Sequence, residues 1–161
     1  MWLDNFFTTL KLISALRDLG YGAAGTMRAQ ANRAQAKLLA LKGKKEDEIP
    51  WSEFYAIISA DGKSLQFGWK DSVLVLFITS VFDGTEWVAV PRRKVKKTAN
   101  GAAMQRAVFL PGEHIKDMPI PLAIHLYNHL VNAVDLRINI GSNIILSASI
   151  DDHGSLYSTS F

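Results

Sequence analysis

Two acidic residues, Asp4 and Asp135, are the side chains whose type and setting could do chemistry. Asp4 stands in Leu3-Asp4-Asn5-Phe6-Phe7-Thr8-Thr9, at the end of a short apolar run and directly before a helical pattern. Asp135 closes Tyr127-Asn128-His129-Leu130-Val131-Asn132-Ala133-Val134-Asp135, on the flank of an apolar helix stripe. Each has two readings. An Asp ahead of a helix commonly caps its free N–H groups; an Asp at a strand end beside a helix N-terminus can also hold a metal. Asp135 can be solvated, paired with Arg137, or catalytic, since charged residues are seldom fully buried without a partner.

A third feature is the basic run Arg92, Arg93, Lys94, Lys96 and Lys97. Such a run can neutralise phosphates, with Arg28 and the Lys42–Lys45 run adding positive field. The same composition also serves as a solvated loop or a nuclear-import signal. His125 and His129 are four apart, half of a zinc site, but Leu126 stands where a zinc protease has its general base. His114 adds no second half. No G-x-S-x-G elbow is present, so serine hydrolase chemistry has no signature here.

The elements that must position these residues are legible from periodicity. Residues 5–19 place Phe6, Leu10, Ile13 and Leu16 on one face, widened by Phe7, Leu12 and Leu19, which predicts a helix. Gly20 and Gly22 end it. Ala23 to Arg28 lacks helical spacing and reads as a strand, giving a strand–helix–strand unit of an α/β layer. Residues 29–45 favour helix by propensity. From Trp51 to Pro91 the pattern changes to β, with Asp61-Gly62 and Asp83-Gly84 as turns, and an antiparallel meander of about four strands is expected. Residues 98–118 read as loop with an apolar patch. Pro119 and Pro121 precede a helix in which Leu122, Leu126, Leu130, Val134 and Ile138 recur every fourth residue. Beyond Gly141 the period fails, apart from a short run at 144–146.

Bulk properties bound the class. The chain has 161 residues, 48% apolar and 20% charged, enough for one ordinary core. It carries a net charge of +3, which suits a nucleic-acid partner without demanding one. With no cysteine, disulfides, thiolate zinc sites and cysteine nucleophiles are excluded. The apolar runs are strand-sized, so no membrane partner is expected. Asp4 and Lys11 break the N-terminal segment as a signal peptide. Met1-Trp2-Leu3 reads as the stump of a buried strand whose sheet partners lie upstream in a longer parent.

Four segments in order resemble the piggyBac family of cut-and-paste DNA transposases. These are Leu3-Asp4-Asn5-Phe6-Phe7-Thr8, Gly25-Thr26-Met27-Arg28, Trp69-Lys70-Asp71, and Tyr127-Asn128 with Val134-Asp135. They match the family's D-N-[FWY]-[FW]-T-S, G-T-x-R, W-K-D and Y-N-x-x-x-x-G-V-D over most of the chain. The resemblance implies an α/β fold. It would be an incomplete ribonuclease-H-like core, strand–helix–strand plus a late helix, interrupted by a β-rich insertion domain. Residues 1–30 and 108–140 would form the core, 31–107 the insertion with its basic loop, and 141–161 a poorly ordered tail.

In that family three Asp side chains hold two divalent cations, usually Mg²⁺, which clamp the attacking and leaving oxygens at a phosphate. Asp4 carries over as the second of the three and Asp135 as the third. The first would lie upstream. Other departures are Ala133 for the family's Gly, and Ile138 and Asn139 for its Asp and Gln. The Cys/His-rich zinc module is absent. The resemblance thus implies a truncated transposase domain that does not cut DNA alone. DNA is the expected partner, with a second copy or a full-length transposase beside it, in the nucleus. A domesticated DNA- or chromatin-binding module is the alternative, and a product that does not fold stably is a third reading.

Overall fold

The structure, a computed structural model, describes residues 1–44, 48–99 and 102–138, with side chains placed for 1–42, 48–99 and 102–131. The chain order is β1 (Trp2–Leu3), α1 (Leu10–Asp18), β2 (Ala24–Thr26), α2 (Ala36–Lys44), β3 (Phe54–Ile58), β4 (Leu65–Lys70), β5 (Leu74–Thr79), β6 (Trp87–Arg93), α3 (Ala102–Ala107), β7 (Ile115–Pro121) and α4 (Leu122–Ile138). This is a mixed α/β fold. Residues up to Val131 make one unit, and a second begins at Asn132.

The main sheet has five strands in the order β1-β2-β5-β4-β3. β1 and β2 are parallel, and the expected strand–helix–strand unit is present. β2 pairs antiparallel with β5, so strands from both sides of the boundary expected at residues 30 and 31 share this sheet. Period-2 alternation sorts their side chains between two faces. Leu74, Leu76 and Ile78 pack with Ile13 and Leu38. Leu65, Phe67, Trp69 and Phe77 pack with Ile120, Ala123, Ile124 and Tyr127. Fully burying one such aliphatic or Phe side chain contributes about 1.5–3 kcal/mol, so both faces are needed to hold the sheet.

Three expectations change, each for a physical reason. The first concerns α1, which begins at Leu10 rather than residue 5. Thr9, extended at φ −137° and ψ 155°, caps it by accepting a hydrogen bond from Leu12 N–H at 3.1 Å. The helix ends as foreseen. Tyr21 N–H donates to Leu16 O at 2.8 Å and Gly20 N–H to Arg17 O at 3.0 Å, a Schellman closure that needs the positive φ of Gly20, +83°.

The second concerns the meander. Three of its strands form as read, but β6 leaves the sheet. β5 already lies between β2 and β4, so it has no free edge for β6. β6 pairs instead with β7, in the segment that reads as loop. Three prolines, Pro91, Pro119 and Pro121, sit in this ribbon, where each strand is an edge and a missing N–H is tolerated.

The third concerns α4. Its buried face is Ala123, Ile124 and Tyr127, with Val131 packed behind, rather than the stripe through Leu122, Leu126 and Leu130. Aliphatic count favours the leucines, but the sheet is met by the i, i+1, i+4, i+8 positions of the other face. The segments expected as helix near Lys45 and as tail beyond Gly141 lie outside the described residues.

Candidate metal and nucleic-acid site

Strand directions bring several motif residues to one edge of the main sheet. Leu3 pairs with Gly25, so Asp4 and Thr26 leave the parallel strands side by side. Met27 N–H donates to Leu76 O at 2.8 Å, and Lys70 pairs with Leu74. The ends of β1, β2 and β4 and the start of β5 therefore share that edge, which carries Asp4, Arg28 and Asp71.

Asp4 is exposed and organises a turn rather than capping a helix. Its Oδ1 accepts from Phe6 N–H at 2.8 Å. Its carbonyl accepts from Phe7 N–H and Thr8 N–H, both at 3.1 Å, and from the Thr8 hydroxyl at 2.7 Å. Such short-range side-chain bonding competes with helix, which is why the helix waits until Leu10. Thr8 is fully buried beneath this turn. Gly25 makes the close approach possible: a Cβ there would stand 2.2 Å from Leu3 O and 2.9 Å from Thr8 Oγ1.

Arg33 completes the turn. Its guanidinium donates to the carbonyls of Asn5 at 3.0 Å and Phe6 at 2.8 Å, with a longer bond to Thr8 at 3.4 Å. Sequence gave no signal for it, because its partners are backbone carbonyls that have no letter in the sequence. Arg28 lies over the Phe6 ring, 4.7 Å from its centroid. Phe6 and Phe7, expected inside a helix stripe, are exposed and meet edge to face at 5.2 Å. On the other face of the sheet, the Thr26 and Tyr127 hydroxyls are 3.1 Å apart, tying α4 to the last residue of β2. Three of the four motif segments thus adjoin.

Trp69-Lys70-Asp71 does different work. Asp71 Oδ1 accepts from Trp51 Nε1 at 3.1 Å and more weakly from Gln105 Nε2 at 3.5 Å. Asp71 Oδ2 pairs with Arg92 at 3.2 Å. Arg92 also lies over the Trp69 ring at 5.9 Å. This carboxylate couples the main sheet to the β6–β7 ribbon and to α3. Within the basic cluster, Arg92 is therefore engaged, and Lys94 lies 5.6 Å from the Phe109 centroid. Arg93, Lys96 and Lys97 are exposed.

Asp135 lies in α4 beyond Val131, in the second unit, and its side chain is outside the described residues. Among the described residues no group of three or more His, Cys, Asp or Glu is placed to hold a metal ion. His125 and His129 meet at 4.4 Å between ring centroids, and burial together with the neighbouring imidazole holds His125 below the ordinary histidine pKa. A shallow cleft of about 240 Å³, lined by Arg17, Lys63, Ser64, Thr79 and Asp83 among others, belongs to the opposite edge, because Thr79 pairs with the first residue of β2.

No protein-family model matches the chain, and no curated protein does. Among solved structures, the piggyBac transposase synaptic complex with hairpin DNA, determined by cryo-EM, is similar in fold. The match has a TM-score of 0.52 and 16% identity over 86% of this chain. The chain spans 23% of the length of that transposase chain. The class that this fold and edge define is therefore a mixed α/β domain with a distant structural relation to piggyBac transposase.

Proposed function

We propose that the chain is a transposase-related, DNA-binding domain with a ribonuclease-H-like arrangement of its core, and that its DNA runs along the edge carrying Asp4 and Arg28. The observation that carries this reading is the fold likeness over 86% of the chain. It is supported by the contacts among the Asp4 turn, Gly25 to Arg28 and Tyr127, which read as motif segments in the sequence and adjoin in space.

Asp4 and Asp135 are the residues we assign to Mg²⁺. When bound, such an ion supplies charge neutralisation at a phosphate oxygen. The chain's own part is to hold Asp4 in a fixed turn, through Thr8, Gly25 and Arg33, and to place Arg28 beside it. Exposed Arg93, Lys96 and Lys97 supply sequence-independent phosphate contacts, which release counterions on binding. Binding without cleavage is the activity we propose for this chain by itself, since its motif segments supply Asp4 and Asp135 of the family's three.

The test is duplex DNA binding by fluorescence anisotropy across a salt series, with a strand-nicking assay in Mg²⁺. Affinity should fall steeply with salt, and Gln at Arg93, Lys96 and Lys97 should reduce the logarithmic salt slope by roughly two to three. Salt-independent binding, or none, contradicts the reading. Mg²⁺-dependent nicking lost in both D4A and D135A would overturn the assignment of binding without cleavage.

A further inference from the structure

We propose that Phe6 and Phe7, with Arg28, form a stacking platform for an unpaired nucleobase at a DNA end or break. This inference rests on the DNA-binding reading above and names the part of the substrate that the edge takes.

Two adjacent phenylalanines are 56% and 64% exposed, an arrangement a folded surface does not need for its own stability. The segment that carries them is fixed from several sides. Phe6 N–H is held by Asp4 Oδ1, Phe7 N–H by Asp4 O, and the carbonyls of Asn5 and Phe6 by Arg33. A loop held in this way presents its rings without a further ordering cost when a ligand arrives, and that preorganisation favours binding.

The chemistry of the platform selects the ligand. The rings offer an apolar π surface, and Arg28 adds a guanidinium 4.7 Å from the Phe6 centroid. Arg28 covers one face of Phe6, and the remaining exposed ring surface of Phe6 and Phe7 suits a flat base whose phosphate meets the guanidinium. Bases inside a duplex already have both faces covered and a terminal pair offers one face on a rigid stack, so an unpaired base is the form free to turn onto the rings. Every base has a π face, so the platform is tolerant of sequence. An apolar protein segment would use the rings but leave the Arg28 charge unmatched.

The experiment compares a blunt duplex with the same duplex bearing a short single-stranded overhang, using the full chain. The parent should bind the overhang DNA more tightly. Replacing both rings by leucine (F6L with F7L) keeps apolar volume and removes the π faces. It should weaken overhang binding roughly 5- to 100-fold and leave the blunt duplex unchanged, while Phe6→Tyr keeps the preference. A thermal melt matching the parent's confirms that the variant folds; if it does not fold, the parent's own preference for overhang over blunt DNA decides. Equal binding of the two DNAs by the parent, or equal loss for both in the variant, overturns the platform and leaves the DNA-binding reading standing. No binding of either DNA overturns both.

Discussion

Gly25 sits where two backbones nearly touch, and it shows how much of the Asp4 turn depends on one missing side chain. An added methyl would collide with the Leu3 carbonyl, which is strand backbone and cannot rotate away. Gly25→Ala should therefore destabilise the chain by about 1–3 kcal/mol or more, read as a lowered thermal midpoint. A melt unchanged from the parent would mean that β1 does not pack on β2 in the way described. The glycine is plain in the sequence, but its reason is not, because the clash is with a residue twenty-two positions earlier. His125 gives a second prediction at this scale. Its pKa lies below the ordinary value near 6.5, because burial and the neighbouring His129 disfavour its charged form. As pH falls, the unfolded chain takes up the proton first, so this contribution to stability is full above about pH 6.5 and is lost below it. Chemical denaturation across that range should show the decline, and His125→Gln should flatten it.

Among the elements, the β6–β7 ribbon is attached to the main sheet through side chains, with Ile120 and Val90 packed against it. Among the described residues it shares no strand pairing with the main sheet, and the Asp71–Arg92 ion pair joins the two. Asp71→Asn keeps the shape and removes the charge facing Arg92. Hydrogen bonds to charged groups contribute about 1.5–3 kcal/mol, and partial exposure of this pair places the expected loss at the lower end. Amide exchange should quicken in β6 and β7 before it does in β4 and β5. Uniform loss of protection throughout would contradict a local link. The elements also show what periodicity can reveal. β3, β4 and β5 were legible because aromatic and β-branched runs end at Asp-Gly or polar breaks. α1 was legible in type but not in its start, because the short-range hydrogen bonds of Asp4 outweigh the apolar spacing of Phe6. β7 was hidden because its prolines argue against a strand, an argument that fails for a two-stranded ribbon. The buried side of α4 was misread because the leucine stripe is stronger in composition than the face that meets the sheet.

For the molecule as a whole, the mixed sheet brings β1 and β2 out at the edge where Asp4 and Arg28 lie. The resemblance in the sequence and the likeness to the transposase structure point the same way on fold. The site was only partly legible. Asp4 and Arg28 could be named from motif order. Arg33 and the exposure of Phe6 and Phe7 could not, because they depend on a turn formed by carbonyls. The claim on which the rest depends is that DNA runs along the edge carrying Asp4 and Arg28. Its most direct test is NMR of the isotope-labelled full chain titrated with a short duplex. The account predicts that amide signals of Asn5, Phe6, Met27 and Arg28 shift together and that the shifts shrink as salt is raised. No shift there, or shifts confined to the cleft around Arg17, Lys63 and Asp83, would contradict it.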